Sequence, residues 1–411
     1  MQKSLLCMIL FSCFSIVLSS QISTKKFGKG IQFQGKDSTF YVKMNVRFQN
    51  LMTHSWSLKD DDFSSLEDYS SNYLVRRSRL KFGGWAYSPK IKYKLELGLS
   101  NRDIGGGSGS EFNSTANVIL DAYVDWNFYK GFSFRFGQGK LPGNRERVIS
   151  SSNLQFVDRS RLNSRFNLDR DMGLMLTHKH KLSGDFILIE KISLSQGEGR
   201  NVTAGNSGVS RGSEYAFRLE ALPFGSFASK GDYVGSAVKR EKKPKLAIGV
   251  TYDINKNAMR NRGNLGSFIT NGDTPGHTLN TLFADLMFKY EGFSTMIEYV
   301  NKSAKDGDPI LYDAELGTVL GTYYTGSAIN VQAGYMFKNN YEIAGRVTSI
   351  SPDLGVDNDD TRYTLGFSKF VVGHNLKVQT DFTYRSVTSQ GDVPDSNDDQ
   401  FTWRTQFEIQ F

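Results

Sequence analysis

No apolar run in the 411 residues approaches the roughly 20 needed for a membrane-spanning helix, and a mean hydropathy of -0.40 excludes a polytopic helical membrane protein. Cysteine is nearly absent. Its two copies, Cys7 and Cys13, fall in a segment with the three parts of a secretory signal: basic Lys3, apolar Leu5 to Leu18, then small Ser19 and Ser20 before a cleavage point near Gln21. With residues 1–20 removed as a signal peptide, the chain has no thiol. A disulfide, a thiolate metal site and a cysteine nucleophile are then excluded. Removal of Lys3 leaves 49 basic against 42 acidic residues, a net charge of +7 on an exported protein. Proline is scarce (8 residues), whereas phenylalanine (30) and tyrosine (19) are abundant. Histidine is also sparse.

The polar residues are interleaved with the apolar ones. Phe40, Val42, Met44, Val46 and Phe48 alternate with Tyr41, Lys43, Asn45, Arg47 and Gln49, and Phe401, Trp403, Thr405, Phe407, Ile409 and Phe411 alternate with Arg404, Gln406, Glu408 and Gln410. Period-2 alternation marks strands with two different faces. It predicts sixteen of them, beginning near Thr39, Tyr73, Lys90, Asn117, Gly131, Asp171, Gly184, Ser213, Lys245, Leu279, Phe293, Gly326, Tyr341, Thr361, Asn375 and Gln400. The seventh is the least regular, because Glu190 and Lys191 spoil either choice of face.

The connections alternate in length. Long polar segments follow the odd strands (51–72, 100–116, 142–170, 197–212, 255–278, 303–325, 351–360 and 388–399), and tight turns such as Tyr129-Lys130, Glu291-Gly292 and Asn339-Asn340 follow most even ones. A soluble sandwich has no reason to gather its long loops at one end. An all-β transmembrane antiparallel barrel of about 16 strands does, as an up-and-down meander with long extracellular loops and short periplasmic turns. Residues 39–411 are assigned to it and 21–38 to a periplasmic lead-in. Pro223 to Pro244 breaks the pattern: it lies on the short-turn side, yet holds about twenty residues including Lys230, Lys239, Arg240, Lys242 and Lys243. It is either a long basic periplasmic loop or a further structural piece.

Closure of the barrel satisfies every backbone polar group without an edge strand. Aromatic residues beside turns, such as Trp85, Tyr87, Phe128, Tyr129 and Phe132, suit an interfacial girdle. The final strand, ending in Phe411, is similar to the signal read by the outer-membrane barrel assembly machinery. Outer-membrane lipid and lipopolysaccharide are the expected surroundings.

A charge is costly on the lipid face, so the charged parity points inward. Lys43, Arg47, Arg77, Arg79, Lys81, Lys92 and Lys94 then project from strands one to three, joined across the closure by Arg346, Arg362, Lys377, Arg385 and Arg404. The inward acids there are fewer: Glu96, Glu342, Asp381 and Glu408. The facing strands carry Asp121, Asp125, Glu214, Glu220, Asp253, Asp285 and Glu298 against Arg135, Arg218 and Lys289. This predicts a basic wall facing a mixed, mildly acidic one. The third long connection adds Arg145, Arg147, Arg159, Arg161, Arg165 and Arg170, opposed by Glu146, Asp158 and Asp169. Arginines offer bidentate hydrogen bonds to phosphate or carboxylate oxygens, and rings of Arg or Lys select anions in pores. The candidate anion-binding, pore-lining set is Arg47, Arg77, Arg79, Lys81, Lys92, Lys94, Arg135, Arg145, Arg147, Arg159, Arg161 and Arg165. The other reading pairs these residues with the facing acids, giving a transverse field in an unselective pore.

Arg76-Arg77-Ser78-Arg79-Leu80-Lys81-Phe82-Gly83-Gly84, Asp121-Ala122-Tyr123, Arg135-Phe136-Gly137-Gln138-Gly139-Lys140-Leu141-Pro142, Asp171-Met172-Gly173 and Tyr215-Ala216-Phe217-Arg218-Leu219 occur in order along the chain. In these segments and its aromatic C-terminus the chain resembles the phosphate-selective porin O and P family. The resemblance implies a homotrimeric outer-membrane channel whose third loop (142–170) folds inward and whose basic residues guide phosphate or related small anions. The expected function is passive diffusion of small hydrophilic solutes with anion preference.

No enzyme motif competes well. His178 and His180 share a strand face beside the turn at Leu182-Ser183, but no third metal ligand is evident, which favours an interfacial surface. His54-Ser55 suggests nucleophilic chemistry only weakly. The loop clusters Asp60-Asp61-Asp62, Asp357 with Asp359-Asp360, and Asp395 with Asp398-Asp399 read as solvated charges. An adhesin would place larger structured insertions in its loops. No cofactor, no metal and no nucleic-acid partner is expected.

Overall fold

Alternating side chains build sixteen strands in the computed structural model, which describes residues 23–24, 26–58, 65–105, 117–202, 212–270, 274–390 and 399–411. The expected signal peptide (1–20), Asp60 to Asp62, and Asp395 with Asp398 lie outside the described residues. The first four strands are β1 (Phe40–Leu58), β2 (Leu66–Ala86), β3 (Ser88–Gly98) and β4 (Ile119–Tyr129). Next come β5 (Phe132–Lys140), β6 (Arg170–Lys181), β7 (Ile187–Ser195) and β8 (Glu214–Leu222). Then follow β9 (Lys245–Asn255), β10 (Leu279–Tyr290), β11 (Phe293–Ala304) and β12 (Gly326–Met336). The last are β13 (Tyr341–Pro352), β14 (Asp359–His374), β15 (Leu376–Thr388) and β16 (Gln400–Gln410).

Each strand pairs antiparallel with its sequence neighbour, and β16 returns to β1 in the register Gln400↔Ser57 to Gln410↔Arg47. Phe411 completes the closure by exchanging backbone bonds with Val46 (2.9 and 3.0 Å). Below this point β1 would present an open edge. The lead-in segment Ile31–Gln34 covers it, pairing Ile31↔Met44 to Gln34↔Tyr41 and so satisfying the exposed backbone groups.

The expected first long connection, 51–72, is mostly strand. β1 and β2 run to 19 and 21 residues and stay paired as far as Leu58↔Leu66. In the sequence, 51–58 reads as loop because Thr, His and Ser dilute its apolar face. The outer surface is apolar as expected, with Val124, Trp126, Phe136, Ile192, Leu219, Val250, Val331, Val347 and Phe367 exposed, as a lipid-facing band requires.

The inner surface departs from the expected polar lining. Ile187, Ile189, Leu222, Phe283, Met287, Met296 and Val300 are buried on the inward parity of β7 to β11. They are covered from inside by Leu141, Ile149, Leu154, Leu162, Phe166 and Leu168 of the third connection and by Phe227 of the long periplasmic segment. Two segments therefore fill one half of the lumen and give it a core. The irregular strand is resolved in the same way: Ile187 and Ile189 face in, whereas Glu190 faces out.

Candidate functional site

The connection between β5 and β6 folds into the barrel. It contains two short helices, α1 (Arg145–Val148) and α2 (Arg161–Phe166). Ser160 accepts a hydrogen bond from the Asn163 N–H at 3.2 Å, capping α2, and donates to Glu146 Oε2 at 2.5 Å. The two helices are thereby linked. Acids of both walls hold the loop: Arg145 Nε donates to Asp285 Oδ1 (2.7 Å), the Glu146 N–H to Glu298 Oε1 (2.7 Å) and, from the basic wall, Asp381 Oδ2 accepts from the Val157 N–H (3.1 Å).

The Pro223–Pro244 connection resolves as a further structural piece. It rises into the lumen and docks on the inward loop, with the Gly235 N–H donating to Asn153 O at 2.8 Å. Lys289 donates to Val234 O and Ser236 O (2.7 and 2.8 Å), Ser236 Oγ donates to Glu342 Oε2 (2.7 Å), and Arg145 Nη1 donates to Asp232 O (3.0 Å). The apolar faces of both insertions pack against β7 to β11, with polar tethers to β1, β13 and β15, and open space remains on the side of β2 to β6.

That space is a cavity of about 960 Å³ bounded mainly by β2 to β6, β13 to β16 and the inward loop. Its lining holds fourteen arginines and three lysines against six carboxylates. Seven predicted residues line it: Arg77, Arg79, Lys94, Arg135, Arg147, Arg159 and Arg161. Five do not. Arg47 is sealed between Ser151 (2.7 Å) and Glu408 (2.8 Å), and Arg145 is fully buried against Asp285. Both are anchors, because the inserted loop covers the wall that bears their partners. Lys81 sits 3.8 Å from Glu96, outside the lining, Lys92 is nearer the periplasmic turn, and Arg165 lies over the Tyr324 ring (4.9 Å) and against Asp357 (3.3 Å).

The candidate set left out Arg76, Arg102, Lys140, Arg170, Lys191, Arg200, Arg262, Arg346, Arg362 and Arg404, all in the lining. Parity signalled Arg346, Arg362 and Arg404. No sequence signal aims Arg200 or Arg262 inward, since both lie outside the strands. Three expected solvated acids are also placed differently: Asp360 is buried, meeting Arg161 at 3.0 Å and Arg362 at 2.7 Å, Asp357 meets Arg165, and Asp399 is buried and accepts from the Val387 N–H at 2.8 Å. His54 and Ser55 point to opposite faces of β1, where His54 meets Tyr69 (2.7 Å) and Ser55 meets Thr402 (3.3 Å), so they cannot act together.

The pairing within the lining is unequal. Asp158 is shared by Arg76 Nη2 (3.1 Å) and Arg77 Nη2 (3.0 Å). Burial pushes the Asp158 carboxyl up, but Arg76 and Arg77 outweigh it and hold it well below the usual carboxylate range. Other cations bond neutral carbonyls: Arg159 donates to Ile149 O (2.7 Å), Arg200 to Asp103 O (2.6 Å) and Lys140 to Arg147 O (2.6 Å). A carbonyl satisfies the N–H without cancelling the charge. Burial and then the neighbouring Arg147 lower the Arg159 guanidinium below its ordinary value. It stays charged at neutral pH, and an anion entering the cavity offsets the unfavourable terms.

A model of the phosphate-selective porin O and P family matches residues 54–409. The chain belongs to this family. It is an outer-membrane porin, and family and fold point to a channel rather than an enzyme. An uncharacterised protein of Aquifex aeolicus (strain VF5) is 26% identical over 384 residues, spanning 87% of this chain and 85% of the relative. Among solved structures, the porin is similar to the outer-membrane channel DcaP of Acinetobacter baumannii (TM-score 0.54, 12% identity, covering 92% of this chain and 99% of that one). It is also similar to an anion-selective porin from Comamonas acidovorans (TM-score 0.51, 12% identity, 90% and 99% covered). At these identities the structural likeness is one of fold.

Segments that carried the resemblance have local physical reasons on the porin. Gly137 and Gly173 are register partners on β5 and β6. A Cβ at Gly137 would lie 2.3 Å from Ala122 O, and one at Gly173 would lie 2.2 Å from Leu194 O. Beside them Arg135 stacks on Tyr123 (3.7 Å) and bonds both oxygens of Asp125 (2.7 and 3.0 Å).

Proposed function

We propose that the porin passes small hydrophilic solutes by passive diffusion and prefers anions, with phosphate among those it favours. The observation that supports this is the excess of guanidinium and ammonium groups over carboxylates around the cavity. A lining of this sign raises the local concentration of anions, and guanidinium groups match phosphate oxygens in pairs. Arg77, Arg79, Lys94, Arg135, Arg147, Arg159 and Arg161 act as the lining cations. The porin works as a homotrimer in outer-membrane lipid and lipopolysaccharide, and Phe411 serves as its recognition end for the barrel assembly machinery.

Reconstitution into a planar bilayer under a KCl gradient tests the reading. The expected reversal potential has the sign of chloride preference, and added phosphate reduces the chloride current. A cation-preferring potential overturns the anion reading. Chloride preference without phosphate block removes only the phosphate component.

A further inference from the structure

The outer face of the barrel carries a cluster that transport does not use. His178 and His180 lie two residues apart on the outward parity of β6, beside Met172, Leu174 and Leu176. Glu190, the residue that obscured the alternation of β7, stands directly across from His178 in the register. Its Oε2 lies 2.8 Å from His178 Nδ1 and 3.6 Å from His180 Nδ1. The third ligand absent from the linear pattern is thus supplied by strand pairing.

We propose that His178, His180 and Glu190 form a binding site for a divalent transition-metal ion of the zinc class on the periplasmic half of the outer barrel surface. Donor type, spacing and preorganisation support this. Two imidazole nitrogens and one carboxylate oxygen are a recurrent zinc set that leaves a fourth position for water. The three donor atoms lie within 4.8 Å of one another, and among the described residues this is the one group of three or more His, Cys, Asp or Glu side chains that does so. Tetrahedral ligands at zinc distances are separated by about 3.4 Å. The His180 pair is close to that separation, and the His178 pair needs to open by about half an ångström.

The rings are already positioned. His178 is stacked between Phe132 (3.9 Å between centroids) and His180 (4.5 Å), so both imidazoles keep their edges toward Glu190. Hydrogen bonding alone leaves the arrangement incomplete: Glu190 Oε2 engages His178, while His180 Nδ1 is buried without a hydrogen-bond partner. A carboxylate and two imidazoles are also unusual on a face otherwise made of Met, Leu and Ile. One cation coordinated by all three satisfies the orphaned nitrogen and neutralises the carboxylate. It also links β6 to β7 above their turn at Leu182, where Leu182 N–H donates to Phe186 O (3.0 Å). The ion is structural in this role.

The test uses untagged full-length barrel in detergent, stripped with a chelator and titrated with ZnCl₂ by calorimetry. One equivalent is expected per chain. His180→Ala and Glu190→Gln should each weaken binding by roughly tenfold or more, since losing a ligand costs at least as much as losing its supporting shell. His54→Ala, in the aromatic cluster at the other end of the barrel, should bind as the wild type does. Zn²⁺ should raise the temperature at which the wild type loses its compact mobility on gels, and it should not do so for Glu190→Gln; the same gels verify that each variant is a folded barrel. Absence of saturable binding to folded wild type, or equal binding by His180→Ala and Glu190→Gln, overturns the proposal. Neither outcome bears on anion preference.

Discussion

Arg145 Nε donates to Asp285 Oδ1 at 2.7 Å, joining the inward loop to the wall of β10 with both side chains fully buried. The pair seats the loop on the half of the lumen that the periplasmic segment also fills. Arg145→Ala leaves Asp285 buried with Arg218 as its remaining partner, so the cost falls below the roughly 3–5 kcal/mol of a buried charge left unpaired. The loop should lose its seat while the barrel stays closed. Limited proteolysis of the folded variant should cut within residues 141–169, where the wild type resists; equal resistance would show that the anchor is dispensable.

Asp158, shared by Arg76 and Arg77 in the cavity lining, offsets one of their two positive charges. Asp158→Asn should therefore strengthen anion preference, shifting the zero-current potential further toward chloride. The wild-type carboxyl is held well below its ordinary value. Its contribution is complete well above the unfolded value of about 3.9 and is lost only as pH falls through the lower folded value. Asp158-dependent selectivity should thus be level from pH 7 to about 5 and change only in stronger acid. A change centred near neutrality would assign the titration to another group.

Shortening the 223–244 segment to a tight turn should enlarge the conducting path, because that segment occupies lumen from the periplasmic side. Single-channel conductance should rise. Anion preference should persist, since most lining cations belong to the opposite wall and the inward loop, and Lys191, which donates to Tyr233 Oη of the segment at 3.3 Å, is freed and not removed. An unchanged conductance would mean that the segment lies clear of the limiting constriction.

Gly137 has φ +127, and a Cβ there would lie 2.3 Å from Ala122 O. Gly137→Ala should cost on the order of 1–3 kcal/mol and lower the temperature at which the barrel's gel mobility is lost. Gly184→Ala, at a turn with nothing within 4 Å of the added Cβ, should be milder. Equal effects would remove the close approach as the cause.

Much of the barrel was legible because a strand's two faces meet different solvents, and period-2 sorting exposes that difference residue by residue. Phe401 to Phe411 and Phe40 to Phe48 carried it clearly. Residues 51–58 did not, since their polar substitutions dilute the apolar face although the backbone continues the ladder to Leu58. The functional site was legible only in part. Parity placed Arg77, Arg79, Lys94 and Arg135 inward. It could not show that Arg47 and Arg145 are covered, because what covers them is loop.

By itself, then, the sequence determined an all-β, outward-apolar barrel with basic residues inside, because alternation and turn spacing are local properties. Only the tertiary structure decided which half of the lumen stays open, which arginines line it and which are anchors, and that Glu190 meets His178 and His180. Those outcomes depend on where long connections dock and on strand register. Both are set by packing between residues far apart in the chain, of which Arg145 and Asp285, separated by 140 positions, are one case.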